Sequence, residues 1–202
     1  MPYKPDQREY RSFAGVFHAA PETEDRKSAY TVEGYATTFD VPYDFVSGAK
    51  ECIRSTALVG ADMSDVIFQL NHDGQTLARL KNGTLELTAD EHGLFVRADL
   101  SGSQAGRDLY EAINNGLIDK MSWGFNIAPD GWEWDEETRT SYITKVEKVF
   151  DVSAVSIPAD QDTEIHARSY LDGVIEQEHQ ELVRRENERR QRQAAALKLR
   201  LL

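Results

Sequence analysis

Three segments of this 202-residue chain hold side chains able to move a proton or attack a carbonyl. In residues 120–128, KMSWGFNIA, Met121, Trp123, Phe125 and Ile127 alternate with Lys120, Ser122, Gly124 and Asn126. That period of two predicts a strand that buries the first set and turns Ser122 to the opposite face. Gly124 on that face leaves open space beside the hydroxyl, room for a substrate or a second backbone. The plainer reading is a strand serine facing solvent. In residues 66–74, VIFQLNHDG, an apolar strand ends in Asn71-His72-Asp73-Gly74. A histidine at a strand end sits where side chains emerge into sites, and it accepts a proton from a serine hydroxyl near neutral pH. Asn, Asp and Gly are equally ordinary turn residues, so a solvated turn histidine is the alternative. In residues 149–160, VFDVSAVSIPAD, a strand apolar on both faces carries Asp151. A buried carboxylate costs several kcal/mol unless it is paired or neutralised. Asp151 therefore requires a partner: a histidine Nδ1–H, a backbone amide or Lys148.

The elements that must position these groups are mostly strands. β-Branched or aromatic runs bounded by turn residues predict strands at 30–39, 66–71, 85–88, 94–100, 120–128, 141–150 and 152–157. Residues 89–93, Ala-Asp-Glu-His-Gly, predict an antiparallel hairpin whose loop ends in a glycine suited to positive φ. Two helices are expected, one near 49–58 and one over 103–114. In the second, Ser103 caps, Leu109, Ala112 and Ile113 share a face, and Asn114-Asn115-Gly116 terminates. The fold class is α+β, with a closed or nearly closed, mostly antiparallel sheet. From Asp172 onward the chain has no proline and, after Gly173, no glycine, and is rich in Glu, Gln, Arg, Ala and Leu. It reads as a long polar helix whose apolar positions are too sparse for a coiled-coil seam.

Composition removes several classes of function. The formal charge of −12 has the wrong sign for a chain that grips duplex DNA over its surface. The charge is also uneven. Seven basic residues against Glu186 and Glu188 give residues 184–202 a net +5, which leaves −17 on residues 1–183. A single cysteine, Cys52, permits no internal disulfide, and a cytosolic protein is expected. No run approaches the length of a membrane span, and the polar start lacks the apolar stretch of a secretory signal. Cys52 is a rival nucleophile only on paper, since a buried structural thiol suits its apolar surroundings. Metal hydrolysis through His72, Asp73 and His92 lacks an HExxH or paired-cysteine spacing, and no metal or cofactor is expected. Gly102-Ser103-Gln104-Ala105-Gly106 reads as a helix N-cap, not a phosphate cradle.

Taken in order, the Asn-His-Asp strand end, the Met-Ser-Trp-Gly-Phe strand about fifty residues later and the Asp-Val-Ser-Ala-Val-Ser-Ile-Pro-Ala segment resemble the caudovirus prohead serine protease family. The strand Val32-Glu33-Gly34-Tyr35-Ala36-Thr37, followed by Phe39 and Asp40, is similar to that family's first strand. The resemblance spans about residues 30–168. It implies a fold like that of the herpesvirus assembly proteases, a small β-barrel with surrounding helices. It implies Ser122 as nucleophile, His72 as general base and Asp151 as the group that orients the histidine. Many relatives carry Glu where this chain has Asp151, and Glu147 and Asp73 are the substitutes for the third role. An oxyanion hole is required, for which backbone N–H groups of glycine-containing loops, or near Trp123 and Gly124, are candidates that the sequence does not decide between.

The resemblance further implies capsid-assembly substrates, namely the scaffold or the scaffolding segment of the major capsid protein, and cleavage of the enzyme itself. Portal or shell components and a second copy of the chain are further expected partners, with no nucleic acid and no membrane. The place of action is the immature capsid in the host cytoplasm. The domain division is an N-terminal extension or first strand over 1–29, a protease domain over 30–169 and a charged helical tail over 170–202 that docks in the shell or is trimmed. A non-enzymatic capsid assembly or scaffolding protein that retains the barrel is the competing reading, and the mutual placement of Ser122, His72 and Asp151 discriminates the two.

Overall fold

A computed structural model describes residues 8–13, 17–20, 28–46, 48–156, 180, 181 and 183–185. Strands dominate: β1 (Glu9–Phe13), β2 (His18–Ala19), β3 (Thr31–Thr38), β4 (Tyr43–Val46), β5 (Ala49–Ile53), β6 (Ile67–Leu70), β7 (Asp73–Arg79), β8 (Leu85–Ala89), β9 (Gly93–Asp99), β10 (Lys120–Ile127), β11 (Trp132–Asp135), β12 (Thr140–Ile143) and β13 (Val146–Val155). One α-helix, α1 (Gln104–Asn114), precedes β10. The class is α+β, as expected, but no closed barrel forms among the described residues. The strands hydrogen-bond in three sheets, ordered β1-β10-β13-β6-β7, β11-β12-β5-β4 and β2-β3-β9-β8. Closure needs an edge strand with a partner to meet, and β7, at one edge of the five-stranded sheet, exposes most of its residues. Pairing is antiparallel except where β12 meets β5 and β13 meets β6.

The helix over 103–114 forms as its caps dictate. The Ser103 hydroxyl accepts from the Gly106 amide at 3.0 Å, Leu109 and Ile113 are buried, and Gly116 leaves the helix with φ 70°. The helix expected near 49–58 does not. Residues Ala49–Ile53 are a strand between β4 and β12, with Glu51, Cys52 and Ile53 fully buried. Buried pairing on both edges overrides the helix propensity of Ala, Lys and Glu. The 89–93 hairpin pairs β8 with β9, yet Gly93 is not a positive-φ residue. A Cβ there would lie 2.0 Å from the Thr37 carbonyl oxygen, so the glycine is needed for the close approach of β3. The expected break at Asp151 is also absent. The chain turns instead at Thr144 and Lys145, whose amides both donate to the Gly131 carbonyl, and β13 runs unbroken through Asp151.

Sheet positions also decide which residues are covered. β10 is flanked by β1 and β13, so its Ser122–Gly124–Asn126 face is as buried as its Met121–Trp123–Phe125 face. Strand β1 is fastened by charge: Arg11 donates from Nε to Glu51 Oε1 at 2.5 Å and from Nη2 to Glu51 Oε2 at 3.0 Å, and both residues are buried. The Arg11 guanidinium lies 4.5 Å from the Phe45 ring centroid. The expected C-terminal helix falls almost wholly outside the described residues, of which 180, 181 and 183–185 are helical. Removing one member of a buried ion pair strands the other. Arg11→Ala is expected to lower stability by about 3–5 kcal/mol in urea denaturation, and a loss below about 1 kcal/mol would show that the pair does not anchor β1.

Candidate active site

His72 owes its place to a two-residue connection. Leu70 and Asp73 are paired across the β6–β7 hairpin, and the residues between them, Asn71 and His72, have φ of 53° and 58°. Positive φ at both central positions is the signature of the type I′ turn that suits tight hairpins. Asn accepts this conformation easily; histidine does so at a cost. Asn71 is held by its side-chain oxygen, which accepts from the Ser156 amide at 3.0 Å and the Ser156 hydroxyl at 3.1 Å. Its own amide donates to the Ala154 carbonyl at 2.9 Å, extending the β6–β13 ladder. The turn expected as the alternative to a functional histidine is therefore present, and it carries the ring to β13.

There His72 Nδ1 makes a short contact with Asp151 Oδ1. The same carboxylate oxygen accepts the Ser153 hydroxyl at 3.1 Å, and Oδ2 lies 3.5 Å from Arg8 Nη1. Of the three partners open to Asp151, the histidine is the one found; Lys148 pairs with Asp62 at 2.9 Å instead. Asp151 stands opposite Gly124 in the β10–β13 register, and Ser153 stands opposite Ser122. Cross-strand partners share a face, so the Ser122 hydroxyl, the Asp151 carboxylate and the Ser153 hydroxyl all project to one side of the sheet. The space above Gly124 is not open: a Cβ there would lie 2.5 Å from Asp151 Oδ2 and 2.9 Å from Tyr10 Cε1. The glycine makes room for the carboxylate to lie across its neighbour.

On this face Ser122 Oγ and His72 Nε2 are buried and make no hydrogen bond among the described residues. An unpaired buried polar atom costs about 1–3 kcal/mol, so each of the two calls for a role outside folding. With Nδ1 committed to a carboxylate, Nε2 is the basic nitrogen left to accept a proton. The substitutes for the third role lie elsewhere. Glu147 is exposed, and Asp73, also exposed, accepts from the Gly74 amide. The rivals fall away similarly. Cys52 is buried in β5 and burial raises its thiol pKa, which suppresses the thiolate. His92 packs its ring against Tyr35, 4.5 Å between centroids. No cluster of three or more metal-ligating side chains occurs among the described residues. The amides of Trp123 and Gly124 lie in a strand paired on both edges, which leaves them committed to the ladder rather than to an oxyanion.

Three contributors escape the sequence reading. Ser153 sits two residues past Asp151, and the strand period places the two on one face. Arg8 and Tyr10 belong to a stretch without β-run patterning; the Tyr10 ring packs on His72 with centroids 4.3 Å apart. A groove of about 340 Å³ runs beside the histidine turn, lined by Leu70, Asn71, Asp73, Leu77 and Ala105 among others.

A serine, a histidine with one nitrogen on a carboxylate and a sheet face that carries serine and carboxylate together are the components of a serine-hydrolase type of site. Residues 18–176 match the model of the caudovirus prohead serine protease family. The chain is 27% identical over 154 residues to the prohead protease of Escherichia phage T5, covering 75% of this chain and 69% of that protein. It is 30% identical over 89 residues to the prohead protease of Enterobacteria phage HK97, covering 44% of this chain and 39% of that protein. No solved structure matches the chain significantly. The chain belongs to the caudovirus prohead serine protease family, the serine proteases of phage prohead maturation. Because only glycine leaves space for the Asp151 carboxylate, Gly124→Ala is expected to lower kcat about 10²-fold by displacing it. Peptidase assays alongside circular dichroism check this, and wild-type kcat in a folded variant would refute it.

Proposed function

We propose that the chain hydrolyses peptide bonds with Ser122 as nucleophile, His72 as general base and Asp151 as the carboxylate that orients the imidazole. The observation that carries this reading is the His72 Nδ1–Asp151 contact, which leaves Nε2 unpartnered on the face where Ser122 Oγ is also unpartnered. Ser122 Oγ attacks the scissile carbonyl as its proton passes to His72 Nε2. The tetrahedral adduct collapses, His72 gives that proton to the leaving amine, and the acyl group stays on Ser122. Water then attacks the ester, losing a proton to His72, and the acid product leaves with Ser122 restored. Asp151 fixes the tautomer with the proton on Nδ1 and stabilises the imidazolium in each half-reaction. Hydrogen bonds of this kind are commonly long in unliganded sites and tighten with substrate.

The substrates proposed are capsid-assembly proteins, the scaffold or the scaffolding segment of the major capsid protein, cut inside the immature shell, together with the chain itself. The two similar proteins are each named a prohead protease, which supports that setting. Among the described residues no helix is long and apolar enough to cross a membrane. The groove beside the His72 turn, with Leu70, Leu77 and Ala105 on its wall, is suited to an apolar substrate side chain. A fold related to that of the herpesvirus assembly proteases and a homodimer like theirs are proposed as well, as are portal or shell contacts. The basic segment 184–202 against an acidic body supports a docking role for the tail.

Co-expression with the capsid protein and mass spectrometry of the new termini tests the reading. Ser122→Ala and His72→Ala are each expected to reduce cleavage by about 10⁶-fold, and Asp151→Asn by about 10⁴-fold. Unchanged processing by Ser122→Ala would sink the assignment and favour the non-enzymatic assembly protein. Deletion of residues 172–202 is expected to lower protease packaging in the shell; full packaging would count against docking.

A further inference from the structure

We propose that Arg8, with Tyr10, completes the catalytic site as a positioning residue that holds the His72–Asp151 pair electrostatically. The proposal rests on the triad reading above. Both residues precede the segment matched by the family model, 18–176, so the N-terminal strand adds to the site something the matched segment does not contain.

Arg8 is fixed from three directions. Its Nη1 donates to the Tyr10 hydroxyl at 3.2 Å and lies 3.5 Å from Asp151 Oδ2, and its guanidinium sits 4.2 Å from the Phe150 ring centroid. Tyr10 in turn packs its ring on His72 and faces Gly124 across the β1–β10 ladder. The cation is thus held beside the one carboxylate oxygen that has no hydrogen bond, while the other oxygen takes His72 and Ser153. The Asp151 side chain is 1% exposed, and a cation beside a carboxylate so buried offsets part of the cost of its burial. A guanidinium supplies that charge at every working pH.

The neighbouring charges do not compete for this role. Asp73, on the hairpin itself, is exposed and turned to the Gly74 amide, and Lys148 is paired with Asp62. Glu9, Arg11 and Glu51 form a separate buried cluster. In the β1 alternation Glu9 and Arg11 fall on the face opposite Tyr10. Among the described residues, His72 touches Asp151 and the Tyr10 ring, and Arg8 and Ser153 touch Asp151 in turn.

Loss of the Arg8 charge favours the imidazolium, so His72 gives up its proton at higher pH. With Arg8 partly exposed, salt screens the effect, and the midpoint of the His72 titration moves up on loss of the charge. The test is an NMR titration of the His72 ring in the full chain, assigned with His72→Gln, for wild type, Arg8→Gln, Arg8→Lys and Tyr10→Phe. Arg8→Gln is expected to show the upward shift, shrinking at 1 M salt, Arg8→Lys to restore most of it, and Tyr10→Phe to fall between. The acidic limb of kcat/KM against pH moves in parallel. Arg8 precedes β1, whose anchor is Arg11–Glu51, so the variants retain the fold. A wild-type midpoint in Arg8→Gln overturns the proposal. Because the titration needs no substrate, it decides on Arg8 separately from the Ser122→Ala assay, which decides on the protease reading.

Discussion

The carboxylate of Asp151 is the constraint around which the five-stranded sheet is arranged. It stands on the central strand β13, with neighbours on both edges and no solvent. Left alone there, it would cost several kcal/mol, or neutralise. Its compensation comes from three directions: Ser153 on its own strand, His72 from the turn beyond β6, and Arg8 from the approach to β1. His72 and Ser153 both meet Oδ1, and the Arg8 guanidinium lies 3.5 Å from Oδ2. Gly124 completes the arrangement from below by having no side chain. A burial that would weaken an ordinary strand becomes tolerable because four elements converge on it.

The same carboxylate explains why a histidine occupies a left-handed turn position. A non-glycine residue held at positive φ costs on the order of 1–3 kcal/mol. A charge-assisted hydrogen bond contributes a comparable amount, about 1.5–3 kcal/mol. The two nearly cancel, so the turn gains little stability from His72; what it gains is direction. Asn71, tied to Ser156 and to the β13 backbone, absorbs the other half of the turn. The ring is then fixed at both ends of its freedom, by its backbone and by Nδ1. A base fixed in this way does not have to be ordered again at the moment of proton transfer.

The legible part of this site was local. The β10 alternation, the α1 cap at Ser103 and the β8–β9 hairpin are set by neighbours within a few residues, and each forms as its residues indicate. The candidate side chains were legible as candidates, since a serine in a Trp-Gly-Phe strand, a turn histidine and a lone acid in an apolar strand stand out against their surroundings. What pairs with what was not. β13 meets β6 in parallel across some eighty residues of chain, and no local pattern announces that. Residues Ala49–Ile53 read as helical because propensity counts Ala, Lys and Glu and cannot count the two strands that flank them. Gly93 and Gly124 were legible as glycines; their reason, the Thr37 carbonyl in one case and Asp151 in the other, is a contact between distant elements. Arg8 and Tyr10 were invisible for the same reason.

Five buried side-chain atoms lack a hydrogen-bond partner among the described residues: Trp123 Nε1, Asn126 Oδ1, Asp151 Oδ2 and, in the candidate site, Ser122 Oγ and His72 Nε2. Folding alone would favour hydrogen bonds to them or apolar groups in their place. A dry pocket raises the worth of each charge that develops in it, and a nitrogen denied other acceptors and donors keeps its lone pair for the incoming proton. The orientation of the ring is therefore costly for stability and favourable for transfer. Between the sheets, Arg11 of β1 and Glu51 of β5 hold β1 in place and, with it, Tyr10 against the histidine.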